Sequence, residues 1–260
     1  MLKNRNAIVT GSTSGIGLAI AHALAKEGCN ILLNGFGDKA VIDAEIAEIK
    51  QKFGVKVEYS AADMSKSAEI RTMVSACEKA FGSVDILVNN AGIQHTAAIA
   101  EFPEEKWDAI LAINLSSAFH AVKAALPGMQ KNNFGRIINI ASVHGLVASK
   151  NKSAYVAAKH GIVGLTKVIA LENAESNITC NAICPGWVHT PLVQKQIADK
   201  AKAENISEQQ AADLMLGEKQ PNKKFITTDQ LGAFAVFLAS DNGGSMTGEI
   251  ITMSGGWLAQ

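Results

Sequence analysis

The chain has 260 residues, 48% of them hydrophobic, with Lys+Arg and Asp+Glu balanced at 24 each. A formal net charge of zero argues against a dedicated nucleic-acid or anionic-membrane binder, which needs a basic face. No apolar run is as long as a membrane span and the start leaves no room for a signal peptide, so a cytoplasmic protein is expected.

Ala7-Ile8-Val9-Thr10 reads as a short buried strand. A glycine loop follows it, then a helical pattern in Leu18, Ile20, Ala21, Leu24 and Ala25. This order suits a dinucleotide. Glycines let the backbone close on a pyrophosphate, and a helix N-terminus favours its charge. The spacing through Gly11, Gly15 and Gly17 is Gly-x-x-x-Gly-x-Gly, not the usual Gly-x-Gly-x-x-Gly. Residues 30–34 form a second strand with the tip Asn34-Gly35-Phe36. An acid at such a tip often holds the adenosine ribose, and none stands here. Neither loop nor tip carries a cation for a 2′-phosphate, which favours NAD over NADP.

Residues 40–53 are expected to be helical and 55–59 to be a third strand, leading to Ala62-Asp63-Met64. Asp63 either accepts from an adenine amino group or, with Ser65, caps the next helix over 70–81. A fourth strand over 84–89 ends in Asn89-Asn90-Ala91-Gly92, where small residues let the backbone pass a cofactor ribose. Gln94 and His95 follow on the same edge. Residues 104–129 read as one long helix with Asn114, a poor helix former, near its middle. Asn114 is expected to hold a water or kink the helix beside Lys159.

The strand over 135–141 delivers Ser142. Tyr155 and Lys159 then share one face of a helix that runs to about residue 174. A nearby ammonium favours the phenolate, so Lys159 is expected to lower the Tyr155 pKa from near 10 toward a general acid/base at neutral pH. Ser142 is placed to hold an alcohol or carbonyl oxygen beside Tyr155. A sixth strand over 178–183 ends at Pro185-Gly186-Trp187-Val188, which in a parallel sheet lies over the nicotinamide. Residues 192–225 are polar and read as two helices forming a mobile lid. Thr227 and Gln230 have capping-box spacing before a helix over 231–240, and 249–253 is the last strand. About seven strands alternating with six helices predict an α/β Rossmann-type doubly wound parallel sheet in a single domain. Cys29, Cys77, Cys180 and Cys184 form no Cys-x-x-Cys and read as buried free thiols. The histidines show no ligand-spaced pair, and no metal is expected.

Across essentially its whole length the chain resembles the classical short-chain dehydrogenase/reductases. The resemblance rests on residues 10–17, on Asn89-Asn90-Ala91-Gly92, on Asn114, on Ser142 with Tyr155 and Lys159, and on Pro185-Gly186. It implies a nicotinamide cofactor and a homotetramer. It implies Tyr155 as general acid/base, Ser142 on the substrate oxygen, Lys159 on the nicotinamide ribose, and Asn114 anchoring a relay water. The implied cofactor contacts are Gly11, Thr13, Ser14, Gly15, Ile16, Gly17, Phe36, Asp63, Met64, Asn90, Ala91, Gly92, Pro185, Gly186 and Val188, with Tyr155 and Lys159.

Segments 33–38, 92–96, 143–155 and 187–193 are similar to the bacterial D-3-hydroxybutyrate dehydrogenases, a branch of that family. That likeness implies a short 3-hydroxy acid as substrate, its carboxylate held by Gln94, His144, Lys152 and Gln196, with Trp187 alongside. An NADPH-dependent reductase of 3-oxoacyl thioesters is the alternative enzyme. A nucleotide-binding module without turnover is the alternative of another class.

Overall fold

The computed structural model describes residues 2–259. Seven strands form one sheet: β1 (Asn6–Val9), β2 (Asn30–Asn34), β3 (Val57–Ser60), β4 (Ile86–Asn89), β5 (Gly135–Ile140), β6 (Ile178–Pro185) and β7 (Ile250–Met253). Every pairing is parallel, in the order β3-β2-β1-β4-β5-β6-β7. The order reverses between β1 and β4, the switch point where ligands gather in such sheets.

Helices cover both faces. They are α1 (Gly15–Lys26), α2 (Lys39–Phe53), α3 (Ser67–Phe81), α4 (Glu104–Leu111), α5 (Ser117–Lys131), α6 (Ser153–Glu172), α7 (Pro191–Glu204), α8 (Glu208–Gly217) and α9 (Thr228–Ala239). Alternation along the strands feeds two cores. Ala7, Val9, Ile31 and Leu33 pack with Ile20, Leu24, Leu231 and Leu238 on one side. Ile8 and Leu32 pack with Ile70, Met73, Ala121, Val122 and Ile169 on the other. A strand covered on both faces reads as a continuous apolar run, which is why these strands stand out in the sequence.

Several boundaries differ from expectation. The third strand starts at Val57, not residue 55. The long helix is split by a π-turn over Ala112–Ser116, centred on Asn114. Asp63 does not cap α3, whose cap position is Lys66; its carboxylate accepts instead from Ser65 N at 2.9 Å and Ser65 Oγ at 2.7 Å. The capping box of Thr227 and Gln230 is present with both of its bonds, and a second, unexpected one joins Ser207 and Gln210 before α8. All four cysteines are buried and free. Glu104–Lys131 and Ser153–Glu172 have the length and mean hydropathy of a membrane span, although charged residues interrupt both. In this fold both lie against the sheet through Ala121, Val122, Ile169 and Ala170.

Candidate active site

The C-terminal ends of the strands open onto a cleft of about 500 Å³. Its walls come from the C-terminal ends of β1 to β6, from α6 and α7 and from the tail, so residues far apart in the chain meet there. Gly11, Thr13, Ser14, Gly15 and Ile16 arrive after β1, Phe36 after β2, and Asp63 and Met64 after β3. Asn90, Ala91, Gly92 and Gln94 arrive after β4, and Ser142 and His144 after β5. Lys152 stands at the cap position of α6 and Tyr155 and Lys159 lie within it, Pro185, Gly186, Trp187 and Val188 come from the end of β6, and Gln196 from α7.

Two expected members lie outside the lining. A Cβ on Gly17 would stand 2.4 Å from both Gly11 O and Asn90 Nδ2, so this glycine lets α1 pack under the loop. Asn114 is buried; its Oδ1 accepts from Ile93 N at 2.8 Å and its Nδ2 donates to Ile93 O at 2.9 Å. The side chain thus clamps Ile93 at the cleft wall.

The loop after β1 has the features a pyrophosphate needs. Ser14 makes no side-chain cap to α1, and the first turn holds no acid, so the first N–H groups of α1 face the cleft. Gly15 has φ +57°, and a Cβ there would meet nothing closer than 3.9 Å. Neighbouring groups hold the loop rigid. Thr10 Oγ1 accepts from Asn90 N and Ala91 N, each at 3.0 Å. Asn34 Oδ1 accepts from Gly11 N at 3.2 Å, while Asn34 Nδ2 donates to Ser60 O and Ala62 O. In the sequence Thr10 stands out only as the start of the 10–17 motif and Asn34 only as the tip of the second strand, and neither is expected there to hold the loop. The β2 tip is also fixed, with Thr13 Oγ1 donating to Phe36 O at 2.9 Å and Tyr59 OH to Gly35 O at 2.7 Å. Among the described lining residues the ammonium cations are Lys152 and Lys159, both far from this tip in sequence. The residues present fit a nicotinamide dinucleotide.

At the opposite end, α6 places Tyr155 and Lys159 one turn apart. Lys159 Nζ donates to Ile140 O at 2.7 Å and lies 5.6 Å from the Tyr155 ring centroid. Tyr155 is half-buried and lines the cleft. Burial raises its phenol above the ordinary value, opposed by a hydrogen bond with the Ser142 side chain. The net direction in the free protein is thus opposite to the depression expected from Lys159. The ammonium sits over the ring and is tied to a carbonyl, and burial pushes Lys159 itself down to about 8. Ser142 Oγ also accepts from His144 N at 3.1 Å.

Lys152 Nζ is 3.4 Å from His144 Nε2 and 5.7 Å from the Trp187 ring. Burial, then the charge of Lys219, lowers the Lys152 pKa. Burial and Lys152 push His144 down to about 4, so its imidazole is neutral. The one acid lining the cleft among the described residues, Asp63, is engaged by Ser65. Trp257, which in the sequence is only part of a short tail, closes the wall; its ring lies 5.5 Å from His144 and 6.4 Å from Trp187. His189 lies outside this lining, with its ring 5.6 Å from Phe225. The arrangement offers a proton donor and acceptor, an oxygen-holding hydroxyl, and an unpaired cation beside neutral donors.

Comparison with known proteins agrees with this geometry. Residues 11–258 match the family described as enoyl-(acyl carrier protein) reductase. The chain is 60% identical to a D-beta-hydroxybutyrate dehydrogenase of Cupriavidus necator over 100% of both chains. It is 54% identical to one of Rhizobium meliloti over 98% of this chain and 99% of that one. Among solved structures, L-sorbose reductase from Gluconobacter frateurii, complexed with NADPH and L-sorbose, has a TM-score of 0.95 at 31% identity, covering 100% and 98% of the two chains. An actinorhodin polyketide ketoreductase with NADPH has a TM-score of 0.91 at 33% identity over 99% of each. Likeness that runs end to end in sequence and in backbone makes this chain a member of the short-chain dehydrogenase/reductase family, oxidoreductases that work with a nicotinamide cofactor.

Proposed function

We propose that this enzyme oxidises (R)-3-hydroxybutyrate to acetoacetate with NAD, reversibly, as a step of ketone-body metabolism. The observation that carries the reading is Lys152. It is a half-buried ammonium with no acid beside it in the cleft, set next to His144 and close to Tyr155 and Ser142 in the wall. A desolvated cation without a counter-charge is costly, and a substrate carboxylate removes that cost. Gln94, His144 and Gln196 supply neutral groups around the same carboxylate, and Trp187 and Trp257 confine it to a short chain.

In this reading Ser142 and Tyr155 hold the C3 oxygen. The Tyr155 phenolate takes the hydroxyl proton as the C3–H bond breaks, and returns it in the reverse direction. Lys159, fixed on Ile140 O, holds positive charge beneath the phenol. Asn114 acts by holding Ile93 in place. A bound oxidised nicotinamide would supply the hydride acceptor, and its positive charge would favour the phenolate of Tyr155. The first turn of α1 and Gly11 to Ile16 hold the pyrophosphate, with Asn90 to Gly92 and Pro185 to Val188 flanking the rest. NAD is favoured because Phe36 and its neighbours offer no cation to a 2′-phosphate.

α7 and α8 pack on each other through Val193, Ile197, Ala211 and Met215 and act as the lid. Assembly into a homotetramer belongs to the same reading; Phe119, Val168 and Leu171 are exposed apolar side chains for another copy to cover. The same reading places the enzyme in the cytoplasm, where unpaired thiols persist. The test is a paired assay of NAD and NADP with both enantiomers of 3-hydroxybutyrate and a neutral secondary alcohol. The R enantiomer with NAD is expected to be fastest. Preference for NADP, or for the neutral alcohol, would overturn the reading.

A further inference from the structure

One short stretch after α8 ties together the wall around Lys152. Gln220 is fully buried and does not line the cleft. Its Oε1 accepts from Trp187 N at 2.9 Å, and its Nε2 donates to the Lys224 carbonyl. Trp187 lies beyond the end of β6, where the sheet no longer supplies a partner for its N–H. The same Oε1 stands 2.6 Å from where a Cβ on Gly186 would be, so only glycine there admits the amide. Backbone pairing continues the grip: Ile226 N donates to Trp187 O and His189 N donates to Ile226 O, each at 2.9 Å. Two residues past Gln220, Asn222 N donates to Gly255 O at 3.1 Å, next to the tail that bears Trp257. Residues 220–222 thus hold both indole-bearing segments of the cleft wall.

We infer that Gln220 is a positioning residue for substrate recognition. It fixes Trp187 against Lys152 and so sets where the carboxylate sits. An amide is suited to the task because it accepts and donates without bringing a charge. The inference rests on the reading that the cleft takes a short 3-hydroxy acid. A buried N–H left without its acceptor is costly, so Trp187 moves when Gln220 loses its oxygen.

The test uses the full chain, Gln220→Met and Gln220→Glu, and acetoacetate reduction with NADH. In Gln220→Met the KM for acetoacetate is expected to rise about tenfold, the scale of one unpaired buried N–H. Its kcat should stay within about threefold and its NADH affinity should be unchanged, because placement is lost equally in the ground and transition states. Tryptophan emission should shift to the red, and adding Trp187→Phe should remove that shift. In Gln220→Glu a protonated acid keeps both donor and acceptor. Ionised or not, the side chain keeps an oxygen for the Trp187 N–H, so the KM of this variant should stay within about threefold of wild type. Unchanged KM in Gln220→Met, or a KM in Gln220→Glu as high as in the Met variant, would overturn the inference. If Gln220→Met does not fold, Gln220→Asn decides: its shorter amide cannot span from Trp187 N to the Lys224 carbonyl, so the same rise in KM and the same red shift are expected. If the wild type does not reduce acetoacetate at all, the functional reading fails instead. The emission of Trp187, which needs no substrate, then still decides whether Gln220 holds it.

Discussion

Replacing Lys152 with Met removes the ammonium and keeps an unbranched side chain of similar reach beside Trp187. The size of the loss follows from the surroundings. The ammonium has His144, Trp187 and Lys219 as neighbours and no acid, so a bound carboxylate is its only counter-charge in the cleft. At about 4 Å and an effective dielectric near 20, such a contact is worth about 4 kcal/mol. Lys152 is only half-buried, and screening brings this to about 3 kcal/mol. That is roughly a hundredfold in kcat/KM. Most of it should appear in KM, because the carboxylate is held equally in ground and transition states. The assay is steady-state oxidation of (R)-3-hydroxybutyrate alongside its methyl ester, which has the same carbinol and no charge. The ester should be affected by less than about threefold. A hundredfold loss shared equally by acid and ester would refute the reasoning, as would an acid whose kcat/KM hardly changes.

Tyr155→Phe removes the hydroxyl that exchanges the substrate proton. Turnover should fall by about a thousandfold or more, while calorimetric affinity for NADH stays near wild type. Retained turnover would end the acid/base assignment. His144 is held near 4 in the fold against an ordinary value of 6.5. Between those values the unfolded chain binds more protons, so stability rises with pH and is lost as pH falls from 6.5 toward 4. His144→Gln should therefore lose about 2 kcal/mol less than wild type between pH 7 and pH 5 in urea titrations. Parallel curves for the two proteins would argue against the buried neutral imidazole. Gly17→Ala forces a methyl against Gly11 O and Asn90 Nδ2, both held in the loop network. It should cost about 1–3 kcal/mol and weaken NADH binding; a melting temperature equal to wild type would show that the loop gives way.

The periodic parts of this protein were legible without coordinates. Strands buried on both faces leave unbroken apolar runs, and helices against a sheet leave stripes such as Ile70, Met73, Val74 and Cys77, so element order and parallel topology followed from local pattern. The Tyr155–Lys159 spacing was legible for the same reason, since helical geometry fixes which side chains share a face. Other features depend on what surrounds a residue, and that is set by distant segments. The sequence suggests that Lys159 depresses the Tyr155 phenol. Only the fold shows that Tyr155 is buried enough for its phenol to be raised in the free protein, and that the Lys159 ammonium is tied to the Ile140 carbonyl. In the sequence Asp63 reads more readily as a helix cap, with Ser65, than as a partner for adenine, whereas in the fold its carboxylate accepts from Ser65 at the cleft edge. Asn34, Thr10, Gln220 and Trp257 carry no spacing signal at all. They matter because β1, β2, β4, the stretch after α8 and the tail converge on one edge of the sheet. Local periodicity is written in neighbouring residues, whereas the electrostatics of a buried site is a sum over groups that only the folded chain brings together.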